Sequence, residues 1–163
     1  MPNYIIVRKN MSMETLFAIS SPIAMLGWIT LIIAPIIPIW SNRIATYISP
    51  LLLSLAYTSL ILAFWSGAEG GFDTLANVQL LFTQSEIAMA GWLHYLAFDL
   101  FMGAWIVREA RKAAISHWFI IPILPLTLLF GPIGYVLFLA LKTSLSLRRN
   151  QKFLSKPNQS AAA

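Results

Sequence analysis

Asp99 is the one acid in Gly91 to Ile106 (GWLHYLAFDLFMGAWI), a run otherwise apolar enough to cross a bilayer. An aspartate at the centre of a membrane helix costs about 2.5 to 3.5 kcal/mol even on lenient insertion scales, so it is expected to face a partner, a cavity or a reaction. On a helix, Gly91, Tyr95, Asp99 and Gly103 recur every four positions and form one slowly drifting stripe. Small residues let a neighbouring helix come close, and Thr127, Gly131 and Gly134 are the expected opposing surface. A carboxyl beside a phenol in apolar surroundings can exchange protons with a substrate, which is general acid–base chemistry. The alternative is packing alone, with Asp99 bonded to Tyr95, Thr127 or a carbonyl freed by proline.

His94 precedes Asp99 by five positions, which on a straight helix sets the two about 140° apart. A direct His–Asp pair is therefore not expected, although His94 remains a candidate proton carrier beside the stripe. Trp92, a turn before Tyr95, is a candidate wall for a long conjugated or cyclic lipid. His94 and His117 are the only histidines and fall in opposite halves of the predicted membrane region. A bis-histidine haem within one chain is therefore not expected, nor is a metal site, since one histidine and one aspartate on divergent faces fall short of the ligands an ion needs. There is no cysteine, hence no disulfide, iron–sulfur cluster or thiolate chemistry. No P-loop, dinucleotide-binding glycine pattern, nucleophile elbow or HExxH occurs.

The elements that must position these residues are membrane helices. The 163 residues are 58% hydrophobic and 10% charged, with a mean hydropathy of +0.74, far from a soluble domain. Four stretches reach the roughly 20 apolar residues needed to cross: Thr15 to Trp40, Tyr47 to Trp65, Ile87 to Val107 and Trp118 to Leu141. The expected fold is an all-α integral membrane bundle of four transmembrane helices over residues 14–142. An N-terminal flank, 1–13, and a basic, disordered C-terminal tail, 143–163, complete the expected organisation. Six tryptophans fall mostly near predicted span ends, as an aromatic belt would. The first run is too long for a signal peptide and lacks a small-residue cleavage site, so an uncleaved first span is expected.

The net charge of +5 is dispersed outside the spans rather than gathered on a face, so nucleic-acid binding is not expected. Four crossings put both termini on one side. That side would hold seven Lys and Arg, from Arg8 to Lys156, against four (Arg43, Arg108, Arg111 and Lys112) on the other, which predicts cytoplasmic termini. The charges flanking the spans are read as solvated anchors. The longest connection, Ser66 to Glu86, is acidic and turn-rich, and Leu75 to Phe82 (LANVQLLF) is predicted as a short amphipathic helix closing the bundle end or covering a pocket. Prolines interrupt the first span (Pro22, Pro35, Pro38) and the last (Pro122, Pro125, Pro132). Each frees a carbonyl, either for close packing or to shape a cavity.

The run GWLHYLAFDLFMGAWIVREA, followed by H-x4-P-x3-LTLLFGPIG, resembles the abscisic-acid-deficient-four-like family of small membrane proteins; fainter likeness reaches back through FDTLANVQLLF. Plant members are required for neoxanthin synthesis. The resemblance implies a carotenoid-modifying protein, an isomerase of the neoxanthin-synthase type that opens an epoxide by acid–base chemistry with no redox cofactor. It carries Asp99, Tyr95 and His94 as candidate catalytic residues. Trp92, Thr127, Gly131 and Pro132 are the candidate substrate-binding positions. One departure is Ala104, where relatives lead one to expect arginine. The expected partners are membrane lipid, a carotenoid or similar apolar ligand, and further copies or other membrane proteins. A bacterial inner membrane or thylakoid is expected rather than a nuclear-encoded plastid precursor, because no Arg- and Ser-rich transit segment is recognisable. A non-catalytic carotenoid-binding or assembly protein is the alternative, and a proton-coupled transporter the weaker third.

Overall fold

A computed structural model describes residues 12–154. Among them the fold is all-α, with four helices long and apolar enough to cross a membrane; the protein is an integral membrane protein. Helix α1, Met13–Ile32, starts where Ser12 accepts a hydrogen bond from the Thr15 amide (3.1 Å), capping one of the amides that the first turn leaves free. It runs through Pro22 and stops ahead of Pro35 and Pro38. Helix α2, Pro38–Gly67, contains one π-helical turn at Ile44–Ile48 and ends in a 3-10 turn. The short helix α3, Leu75–Phe82, is the one expected from LANVQLLF and is capped by Thr74. Helix α4, Ser85–Lys112, is 28 residues long, about 42 Å at 1.5 Å per residue, and carries Asp99 at its middle. Helix α5, Ile123–Leu154, follows a 3-10 turn at His117–Phe119 and leaves helical geometry at Phe130 (φ −146°, ψ 58°).

Helix α4 is the centre of the bundle. Helix α1 runs parallel to it: Phe17 lies against Trp92, Gly27 against Leu100, and the Ala34 carbonyl accepts from Arg111 (2.9 Å). Helix α2 runs antiparallel, with Thr46 at Arg108 (2.7 Å) and Tyr57 at His94. The core has two halves. Toward the Ser85 end of α4 it consists of Ala24, Leu53, Leu60, Met89, Leu93 and Leu96 with their neighbours, and among the described residues α5 contributes nothing to it. Toward the Lys112 end, Trp28, Leu31, Leu100 and Ile106 are joined by Ile120, Leu124 and Phe138 from the last part of the chain.

Helix α5 differs from the straight span expected between Trp118 and Leu141. Residues seven apart on a helix stand about 10.5 Å apart along its axis, yet a Cβ on Gly134 would lie 2.7 Å from the Cα of Thr127. The break at Phe130, with Gly131 and Pro132 behind it, folds the second part of α5 back on the first. Two further expectations are corrected. Residues 143–154, predicted as disordered, continue α5 as helix; residues 155–163, like 1–11 of the N-terminal flank, lie outside the described residues. Lys142 and Arg149, assigned by span counting to the side opposite Arg108 and Lys112, stand beside them: Lys142 pairs with Glu109 at 2.8 Å and Arg149 donates to the carbonyls of Ala113 and Ala114 at 2.6 and 2.9 Å. Counting hydrophobic runs cannot register a chain that turns back within one of them.

Candidate functional site

The α4 stripe is read differently by its neighbours at each level. A Cβ on Gly91 would meet the Phe82 ring at 2.7 Å, and one on Gly103 would meet Trp28 at 2.7 Å. These glycines therefore admit α3 and α1, rather than α5. Between them, Tyr95 and Asp99 face the break in α5. Pro132 has no N–H to offer the carbonyl four residues earlier, which is Leu128. That carbonyl accepts instead from the Tyr95 hydroxyl. Asp99 sits against Gly131, where a Cβ would come within 3.0 Å of its Cγ, so only glycine lets backbone and carboxyl approach so closely. The Asp99 Oδ2 is enclosed and has no partner among the described residues.

The other sequence candidates separate into two groups. Trp92 joins the site: its ring stacks on Tyr95 (centroids 5.4 Å apart), Phe17 packs against it at 5.2 Å, and its Nε1 is also enclosed without a partner among the described residues. Gly131 and Pro132 shape the site through the backbone. Thr127 is fully buried, but its hydroxyl donates to the Ile123 carbonyl (2.9 Å) and it packs on Gly134; it serves the fold of α5 and does not reach Asp99. His94 stands apart, exposed on the α2 side, with its ring stacked on Phe98 at 4.4 Å and near Tyr57 at 5.6 Å. Ala104 is 2% exposed within the core beside α1.

A cavity of about 380 Å³ opens between the first turns of α1 and α4, lined by Met13, Glu14, Phe17, Ser85, Ala88, Met89 and Trp92. Its inner end is Trp92, behind which come Tyr95 and, one turn further, Asp99. Sequence reading missed this wall, because Met13, Phe17 and Met89 are ordinary apolar residues until the parallel pairing of α1 with α4 brings them together. A second cavity, about 320 Å³, lies on the α2 side between Tyr57, Trp65, Phe72, Phe82 and His94. Among the described residues no group of three His, Cys, Asp or Glu could hold a metal ion.

The charges at the Lys112 end do more than anchor. Arg108 and Arg111 bond Thr46 and the Ala34 carbonyl, His117 Nε2 donates to the Ile32 carbonyl (2.9 Å), and Glu109 joins Lys112 to Lys142. Carbonyls left open at the proline-rich end of α1 thereby find donors.

The sequence model of the family described as ABA DEFICIENT 4-like matches residues 15–138. The chain belongs to that family. The matched span takes in α1 from Thr15 onward, all of α2 to α4, the break at Phe130 and the Tyr95–Asp99 stripe, so the stripe and its contacts with α5 lie within the family's shared region. Membership puts a carotenoid-related role first among the functions to consider. No curated protein matches the chain, and no solved structure does.

Proposed function

We propose that the protein is a carotenoid-modifying membrane enzyme, an isomerase of the neoxanthin-synthase type in which Asp99 handles the proton. Family membership supports the substrate class. The observation that carries the chemistry is the enclosed, unpartnered Asp99 Oδ2 at mid-span, behind an aromatic-ended cavity. A carboxyl committed to packing would spend both oxygens on donors, since a buried polar atom left unpaired is costly.

The reaction needs no electron donor or acceptor. A proton delivered to the epoxide oxygen lets its C–O bond break and become a hydroxyl. A proton leaves the adjacent polyene carbon, and the electron pair of that C–H bond completes the allene. One carboxyl can give the first proton and recover the second, so atoms and charge balance. Tyr95, held on the Leu128 carbonyl and stacked on Trp92, stands between the cavity and Asp99, so it is the group that must yield for the ligand's ring end to reach the carboxyl. The cavity is smaller than a long polyene, so it takes one end of the ligand while the remainder stays in the bilayer. His94 faces the other cavity and is not given a role in this step.

Purified protein offered violaxanthin without added cofactor is expected to yield its allenic isomer, and Asp99→Asn, folded and inserted, to yield none. Retained turnover in Asp99→Asn would refute the assignment of the proton. A wild-type protein that carries pigment yet leaves every epoxy-carotenoid unchanged would establish the binding or assembly alternative.

A further inference from the structure

We infer that α5 does not cross the membrane: residues 117–141 form a re-entrant hairpin that enters and leaves on the Lys112 side, that side is cytoplasmic, and the hairpin closes the Tyr95–Asp99 site from it. The order of contacts along α4 carries this. Leu128 meets Tyr95, Gly131 meets Asp99, Tyr135 and Phe138 meet Trp105, Lys142 meets Glu109 and Arg149 meets Ala113. As residue numbers rise in the second part of α5 they rise along α4 too, so the two run parallel, and a fourth crossing would have to run antiparallel. The descending limb is the stretch from His117, bonded at the end of α1, to Leu128. The limb from Gly131 to Leu141 holds eleven residues, about 16 Å at 1.5 Å per residue and half of a hydrocarbon core of about 30 Å. Polar sequence begins at Lys142, where such a limb would surface. Broken backbone at membrane depth is tolerated where protein covers it, and here Tyr95 and Asp99 do.

Charge supports the same arrangement. All seven Lys and Arg with described side chains, from Arg43 to Arg149, then share one side. Glu14, Glu69, Asp73 and Glu86 lie at the other. A basic side is the cytoplasmic one. The cavity ending at Trp92 lies in the half of the bundle that α5 leaves uncovered, so a ligand reaches it from the leaflet opposite the basic side. This inference concerns geometry and stands whatever the chemistry at Asp99.

The cysteine-free sequence makes the test direct. Gly67→Cys, where an added Cβ meets nothing within 4 Å, and Ser116→Cys and Gln151→Cys at exposed positions are expressed singly in a bacterial inner membrane. Each is treated with a membrane-impermeant maleimide in spheroplasts and in inverted vesicles, with labelling in detergent as proof that the thiol is reactive. The expected result is labelling of Gly67→Cys in spheroplasts only, and of both Ser116→Cys and Gln151→Cys in inverted vesicles only. Gln151→Cys labelling from the same side as Gly67→Cys would show a true fourth crossing and overturn the hairpin. Ser116→Cys and Gln151→Cys labelling together in spheroplasts would overturn the orientation.

Discussion

Tyr95→Phe isolates one hydroxyl, and the structure sets what that hydroxyl is worth. The phenyl ring keeps its stack on Trp92, so apolar packing is nearly unchanged. What is lost is the donor to the Leu128 carbonyl. With Pro132 four residues on, the helix has no amide to replace it. Stranding a buried acceptor costs about 1 to 3 kcal/mol in soluble proteins, while hydrogen bonds between membrane helices average about 0.6 and reach about 1.7 kcal/mol. A loss near 1 kcal/mol is therefore expected. At the usual entropy of unfolding for 150 to 250 residues this lowers Tm by about 2 to 4 °C. Thermal unfolding of detergent-solubilised protein, followed by far-UV circular dichroism or by tryptophan emission, measures it. The same variant should keep part of its turnover, in contrast to Asp99→Asn. An unchanged Tm would mean that the Leu128 carbonyl is satisfied in some other way. Complete loss of turnover with an unchanged Tm would make the hydroxyl a chemical group instead of a positioning one.

Gly131→Ala puts a methyl against the Asp99 carboxyl and should cost about 1 to 3 kcal/mol, as overpacking does. Pairing it with Asp99→Ala should cost less than the sum of the two, a coupling that a double-mutant cycle reads directly. Gln84→Ala removes the two bonds by which that side chain holds the Glu69 amide and carbonyl (3.2 and 2.8 Å); hydrogen exchange should quicken several-fold in residues 68–74 and stay unchanged in α4. Exchange that quickens through α4 as well would show that this connection supports the bundle.

The long helices and α3 were legible because length and hydropathy are local properties. The meeting of Asp99 with Gly131 was legible because a four-residue period fixes a face. The neighbours of Gly91 and Gly103 were not, since periodicity names a face without naming what lies across it. Hydropathy also adds up equally across Phe130 whether the chain continues or turns back, which is why the last run read as one straight span and its basic end was assigned to the wrong neighbours. His94 was correctly set off from Asp99 by angle, but its stacking on Phe98 depends on α2. The cavity wall shared by Phe17 and Met89 depends on α1 lying parallel to α4, which no local pattern encodes.

The break at Phe130 also orders assembly in time. Helices α1, α2 and α4 form their contacts from residues already synthesised when α5 emerges, and chains grow at only about 5 to 20 residues per second. During that interval the α4 face bearing Tyr95 and Asp99 has no α5 beside it. A carboxyl left toward hydrocarbon is unfavourable by a few kcal/mol, and the arriving Gly131 and Leu128 relieve that exposure. The residue assigned the proton thus doubles as a docking mark for α5, so that a substitution at Asp99 bears on the order in which the molecule closes as well as on what the closed molecule does.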